Sequence, residues 1–161
     1  MEKKINLLIV DDEEQFLNSI KKSLGVRGFD VFIATRGDQA LEIARQNSID
    51  IALVDLKMPG MSGEETLKAL KREHKWMEIV ILTGHGTIDS AVECMGIGAY
   101  SYLYKPCELG KMLETLENAY KKRVMNKNKI EEKKMNELLK IIESNSHSEI
   151  LRRLQEIDKE G

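Results

Sequence analysis

The chain has 161 residues, of which 42% are hydrophobic, 32% charged and 5% aromatic, and its net charge is −2. This is a soluble composition, long enough for one domain plus an appendage, and it offers no global positive field for nucleic acid. The two cysteines, Cys94 and Cys107, lack metal-ligand spacing, which argues against a disulfide framework and for reduced thiols.

The first predicted element is a strand over 5–10 (INLLIV), which runs into Asp11, Asp12, Glu13 and Glu14. That acidic break, with no small-residue cleavage site, excludes a signal peptide. Residues 14–27 place Phe16, Leu17, Ile20 and Leu24 on one helical face. A second strand (30–34, DVFIA) and a helix over 38–46 with Ala40, Leu41 and Ala44 follow. The third strand, 50–54 (DIALV), meets Asp55 and a turn built on Pro59, Gly60 and Gly63. The next helix, 63–74, uses Leu67 and Leu70. The fourth strand, 78–83 (EIVILT), ends at Thr83-Gly84, and a helix over 87–96 carries Ile88, Ala91, Val92 and Met95 as its apolar face. The fifth strand, 100–104 (YSYLY), runs into Lys105-Pro106. The first three strands are almost continuously apolar, as strands covered on both faces are. Alternating strands and helices predict an α/β fold, a doubly wound parallel sheet of five strands.

A long helical stretch begins near 108. Its apolar stripe is Leu109, Met112, Leu113, Leu116, Ala119 and Tyr120. Residues 121–129 are mostly polar, and apolar spacing resumes at Ile130, Met135, Leu138, Leu139, Ile141 and Ile142. The gap argues against a long uninterrupted coiled coil. Asn145 and Ser146 end this pattern. Ser146 with Glu149 fits a capping box, opening a short helix with Ile150, Leu151, Leu154 and Ile157. Residues 1–120 carry 14 Lys and Arg against 19 Asp and Glu, while 121–161 carry 11 against 8. The basic tail reads as a solvated helix face. The expected organisation is a domain at 1–122 and a helical interaction or dimerisation tail at 123–161. No apolar run reaches the roughly 18 residues of a membrane span, so a cytoplasmic protein is expected.

In an open parallel sheet, ligands bind at the carboxyl ends of the strands. Asp11 and Asp12, Asp55, Thr83 and Lys105 each follow or end a different strand. One pocket would hold three carboxylates, a hydroxyl and an ammonium. Two carboxylates 4 Å apart repel by about 4 kcal/mol at an effective dielectric near 20. A cation relieves that repulsion, and oxygen-only ligands with room for water suit Mg²⁺. A carboxylate at such a site can attack a phosphoryl group to give an acyl phosphate, with the metal and Lys105 neutralising charge. Taken alone, Asp12 could equally cap the helix that follows it.

"LIVDDE", "LVDLKMPGMSG", "LTGHG" and "YLYKP" resemble the receiver domain of two-component response regulators, over residues 4 to about 122. The stretch from Leu82 to Pro106 is most similar to receivers of enhancer-dependent, nitrogen-regulation-type activators. The resemblance implies a flavodoxin-like sheet with strand order 2-1-3-4-5 and Asp55 as phosphoacceptor. It implies Mg²⁺, with Mn²⁺ able to substitute, held by Asp12 directly, Asp11 mainly through water, Asp55, and the Lys57 backbone carbonyl. Lys105 would pair with phosphoryl oxygens, and its bond to Pro106 would be cis. Thr83 and Tyr102 would form the switch, with Thr83 moving toward the phosphoryl group and Tyr102 rotating inward. The face made by the 87–96 helix, strand 100–104 and the helix from 108 would then change. The implied partners are a sensor histidine kinase or phosphotransfer protein. A homodimer through the 108–120 face and the tail is expected, with no direct nucleic-acid or membrane contact. No enzymatic activity is expected beyond self-phosphorylation and dephosphorylation at Asp55.

Lys57 and His85 lie two residues after Asp55 and Thr83, positions that in this family tune dephosphorylation. Cys107 stands where such receivers carry a bulky apolar residue and reads as a small buried hydrophobe. His74 and His147 read as exposed helix residues. No Walker A pattern occurs, and 123–161 is short for a winged helix. Two readings stay open: a stand-alone receiver, or the regulatory portion of a DNA-binding or ATPase-containing regulator. A small metal-dependent phosphatase using Asp55 transiently is a third, and no substrate pocket for it is visible in the sequence.

Overall fold

A computed structural model describes residues 3–144, 149, 151–153, 155 and 156. Asn145, the expected cap at Ser146, His147, and Ile150, Leu154 and Ile157 of the final helix lie outside the described residues. The elements are β1 (Ile5–Val10), α1 (Glu14–Gly25), β2 (Phe29–Ala34), α2 (Gly37–Gln46), β3 (Ile51–Val54), α3 (Gly63–Glu73), β4 (Glu78–Thr83), α4 (Ile88–Ile97), β5 (Ser101–Tyr104) and α5 (Leu109–Ser144). All strand pairs are parallel, in the order β2-β1-β3-β4-β5. That is the doubly wound order expected from the sequence.

Every residue of β3 and β4 is buried, because helices cover both faces of the sheet. Alternation along the strands divides the core in two. Leu8, Val10, Ala52, Val54, Ile79 and Ile81 pack with α2 and α3 through Ala40, Leu41, Leu67 and Leu70. Leu7, Ile9, Ile51, Leu53, Val80 and Leu82 pack with α1 and α5 through Leu17, Leu24, Met112 and Leu116. Each fully buried Leu or Ile contributes about 1.5–3 kcal/mol, so the two layers together hold the sheet between the helices.

Helix α4 departs from the expectation. Ile88, Val92 and Met95 are 80%, 67% and 46% exposed, and the side chain it buries is Cys94. Periodicity identified an apolar stripe but not its direction. The helix is turned so that the stripe faces solvent. Two smaller expectations also change. Cys107 is half-buried rather than buried, and His74 is half-buried at the C-cap of α3 rather than exposed.

Two buried acids lie at the opposite end of the sheet from the strand termini discussed above. Asp50, just before β3, accepts from Asn6 N–H at 2.8 Å and from Arg123 Nε at 3.1 Å. Glu78, the first residue of β4, is 4% exposed, with Lys122 Nζ 3.9 Å from its Oε2. Both cations come from α5. By Cα packing the chain divides into two compact units, Met1–Arg123 and Val124–Gly161. Helix α5 is continuous through the polar 121–129 segment, which interrupts the apolar stripe but contains no helix breaker. In the second unit Met135, Leu139 and Ile142 are exposed while Ile141 is buried. Among the described residues no helix is long and apolar enough to cross a membrane.

The turn after β3 is closed by Gly63 N–H donating to Leu56 O at 2.9 Å. A Cβ on Gly63 would collide with the backbone of Asp55 and Leu56. Backbone cannot step aside as a side chain can, so Gly63→Ala is expected to destabilise the domain by roughly 1–3 kcal/mol. Urea unfolding measures this, and an unchanged midpoint would show that the turn has slack.

Candidate functional site

Three site residues are placed by the sheet's own hydrogen bonding, one step past the strand ends. Asp11 N–H donates to Ala34 O at 3.0 Å, Asp55 N–H to Val10 O at 2.9 Å, and Lys105 N–H to Thr83 O at 2.9 Å. The ladder therefore continues into the loops and fixes these backbones at the carboxyl edge. Side chains that point off neighbouring strand ends then meet.

Asp11, Asp12 and Asp55 each offer a carboxylate oxygen, and these atoms all lie within 4.8 Å of one another. Asp11 and Asp55 are buried and Asp12 is exposed, so the cluster opens to water on one side. Lys105 Nζ lies 2.5 Å from Asp11 Oδ2 and 3.9 Å from Asp55 Oδ2. It also lies 4.4 Å from the centre of the Phe16 ring, a contact the sequence reading did not include. Asp11 Oδ1 accepts from Glu13 N–H at 2.9 Å. Asp12 is therefore not the cap of α1: Glu13 holds the N-cap position, and Asp11 satisfies its amide. This leaves Asp12 without a structural duty there.

Asp55 Oδ1 is buried with no hydrogen-bond partner in the protein. Burial pushes the Asp55 carboxyl above its ordinary range; the nearby Thr83 hydroxyl pulls it down, Asp11 pushes it up, and Lys105 pulls it down. A buried, unpaired carboxylate oxygen is costly. The donor set is all oxygen, open to solvent at Asp12 and made of three carboxyl groups. It fits a hard divalent cation. Thr83 Oγ1 accepts from His85 N–H at 3.1 Å. Lys57 and His85 are both exposed. Lys105-Pro106 is cis.

Tyr102 does not join the carboxylates. Its hydroxyl lies 2.7 Å from Ser90 Oγ, and its ring packs at the edge of the α2–α3 side of the core. The sequence reading passed over Ser90. The signal available was its spacing of three from Thr87, the pattern of a reciprocal cap.

A parallel β2-β1-β3-β4-β5 sheet with this acid cluster and a lysine at its carboxyl edge defines the receiver class of proteins, and residues 7–117 match the response regulator receiver domain family. The chain belongs to that family, the receiver domains of two-component response regulators. Among curated relatives it is 36% identical over 115 residues to the transcriptional regulatory protein ZraR of Klebsiella oxytoca, covering 71% of this chain and 26% of that protein. It is 35% identical over 120 residues to the luminescence regulatory protein LuxO of Vibrio campbellii, covering 74% of this chain and 26% of that one. The chain thus spans about a quarter of the length of these relatives. Among solved structures, a receiver domain protein from Clostridium thermocellum aligns with a TM-score of 0.72 at 35% identity, over 75% of this chain and 98% of that one.

The raised Asp55 carboxyl carries a stability consequence. Its folded value lies above its unfolded one, so protonation favours the fold. That contribution is complete below the ordinary value of 3.8 and is lost as pH rises through the folded value. At pH 7 without divalent cations, Asp55→Asn removes an ionised group the fold disfavours. Its Tm is expected to rise by about 2–5 °C, with the gain shrinking as pH falls toward 4. Calorimetry in chelator checks this, and a lower Tm at neutral pH would contradict it.

Proposed function

We propose that this chain is a phosphorylation switch in which Asp55 accepts a phosphoryl group from a sensor histidine kinase or phosphotransfer protein. The observation that carries the reading is the buried, unpartnered Asp55 Oδ1 inside the acid cluster beside Lys105. An Asp55 oxygen attacks phosphorus of a phosphohistidine. The O–P bond forms as the P–N bond breaks, and the electron pair leaves on the imidazole nitrogen, which takes up a proton. Asp11, Asp12, Asp55 and the Lys57 carbonyl would hold Mg²⁺, with Mn²⁺ as a substitute. The ion, when bound, supplies positive charge against the carboxylates and the phosphoryl oxygens. Lys105 exchanges part of its contact with Asp11 for the phosphoryl oxygens, and Thr83 donates to the new group. Tyr102 follows Thr83, and the face formed by α4, β5 and α5 changes with it.

The apolar stripe expected to pair copies through the 108–120 face instead packs into the domain core, where Met112, Leu116 and Ala119 are buried. The exposed stripe of α4 and the exposed Met135, Leu139 and Ile142 of the tail support self-association as one readout. A second reading, that this is the regulatory portion of a longer DNA-binding or ATPase-containing regulator, rests on the quarter-length coverage of ZraR and LuxO. The size of the gene product in cell extract separates the two.

With Mg²⁺ and a small acyl phosphate, intact mass should gain one phosphoryl group on the wild type and none on Asp55→Asn. Light scattering with beryllofluoride on the same samples should show an Asp55-dependent change in assembly. No phosphoryl gain on the wild type would reject Asp55 as acceptor. A mass unaffected by beryllofluoride would move the output to a heterologous partner. Lys57 and His85, two residues after Asp55 and Thr83, are exposed. We expect Lys57→Ala with His85→Ala to change the phosphoryl half-life by about threefold or more; an unchanged half-life removes them from control of the attacking water.

A further inference from the structure

The Tyr102 hydroxyl is held by a network that also starts α4. Ser90 Oγ lies 2.7 Å from Tyr102 Oη, 3.0 Å from Thr87 N and 2.9 Å from Thr87 O. A serine hydroxyl has one proton and two acceptor positions. Thr87 N–H can only donate and Thr87 O can only accept. The Ser90 proton therefore goes to Thr87 O, one lone pair receives Thr87 N–H, and the other is left for the tyrosine. Tyr102 is the donor to Ser90, and the serine is saturated. Ser90 N–H in turn donates to Thr87 Oγ1 at 3.0 Å, which completes the capping box of α4.

Space around the hydroxyl is equally specific. A Cβ on Gly86 would lie 2.5 Å from Tyr102 Oη and 2.8 Å from Tyr104 Cε1. The Tyr104 ring stands edge-on to Tyr102, centroids 5.2 Å apart and planes at 64°. On the other side, the chain from the acid cluster to this network is short. His85 N–H donates to Thr83 Oγ1, Gly86 follows, and Thr87 is the cap. The cap of α4 therefore lies four residues after Thr83.

We propose that Ser90 is the positioning residue that couples the Tyr102 ring to the first turn of α4, so that the ring and the cap move as one unit. This rests on the reading of Thr83 and Tyr102 as the switch pair. In this arrangement Ser90 favours the inward tyrosine, and with it the conformation that binds a phosphoryl group on Asp55. Gly86 is the vacancy that lets the hydroxyl reach the serine.

The test measures beryllofluoride affinity in Mg²⁺ on the full chain, together with hydrogen exchange of the Ser90 and Ala91 amides. Ser90→Ala should weaken apparent affinity by about threefold to tenfold, and Ser90→Thr, which keeps the hydroxyl, should restore most of it. Tyr102→Phe removes the same bond from the other side, so the double variant should be no weaker than either single variant. Thr87→Ala removes the cap hydroxyl alone and serves as the control for loss of helix capping. It should speed amide exchange in both states with less effect on affinity. Beryllofluoride should slow exchange at these amides in the wild type and not in Ser90→Ala. Additive effects of Ser90→Ala and Tyr102→Phe, or equal losses in Ser90→Ala and Thr87→Ala, would overturn the coupling and leave Ser90 a cap only. A wild type that ignores beryllofluoride would instead overturn the switch reading on which the inference stands.

Discussion

Crowding of negative charge at the carboxyl edge of the sheet, with two of its three acids buried, is the constraint on which this domain depends. Asp11 and Asp55 are 1% and 4% exposed, lie at adjacent strand ends and face a single lysine, Lys105. Their repulsion cannot relax by moving the side chains apart, because the backbones are locked into the sheet ladder. The fold thus holds a carboxylate oxygen unpaired at a fixed point. Chemistry that adds positive charge or consumes negative charge there is favoured in advance. The same ladder fixes Thr83 at the end of β4, so its hydroxyl is held close to the Asp55 carboxyl.

The sheet and the acid cluster were legible in the sequence for a physical reason. Continuous apolar runs report burial on both faces, and a charge directly after such a run marks where the strand leaves the core. Asp11, Asp55 and Lys105 each occupy that position. The direction of α4 was not legible in the same way. Ile88, Val92 and Met95 form as good an apolar stripe as those of α1 or α3, and Cys94 carries too little hydrophobic signal to reveal the buried face. Asp50 and Glu78 were also opaque. Each begins an apolar run and reads as a boundary charge, and only the return of α5 across the sheet brings Arg123 and Lys122 to them. Ser90 was hidden for a related reason, since its partner Tyr102 is twelve residues away on another element.

Buried ion pairs seldom add much net stability, because desolvation offsets attraction. What they add is discrimination among arrangements. With Arg123 on Asp50 and Lys122 near Glu78, a turn-sized slip of α5 along the sheet would strand two buried acids. The apolar residues of α5 alone (Met112, Leu116 and Ala119) could tolerate several neighbouring registers. The charges at the amino edge select one, and the carboxyl edge is left free for reactivity.

Helix α4 buries one side chain, where α1 buries three and α3 four. Domain stability is therefore unevenly distributed around the sheet. The free energy of detaching a helix scales with the apolar surface it surrenders. Local opening events should concentrate at this one position, well below the energy of global unfolding. A protease or a gentle rise in temperature would find α4 first. The remaining helices would still enclose the sheet, so the loss would look like a softened edge rather than a second unfolding transition.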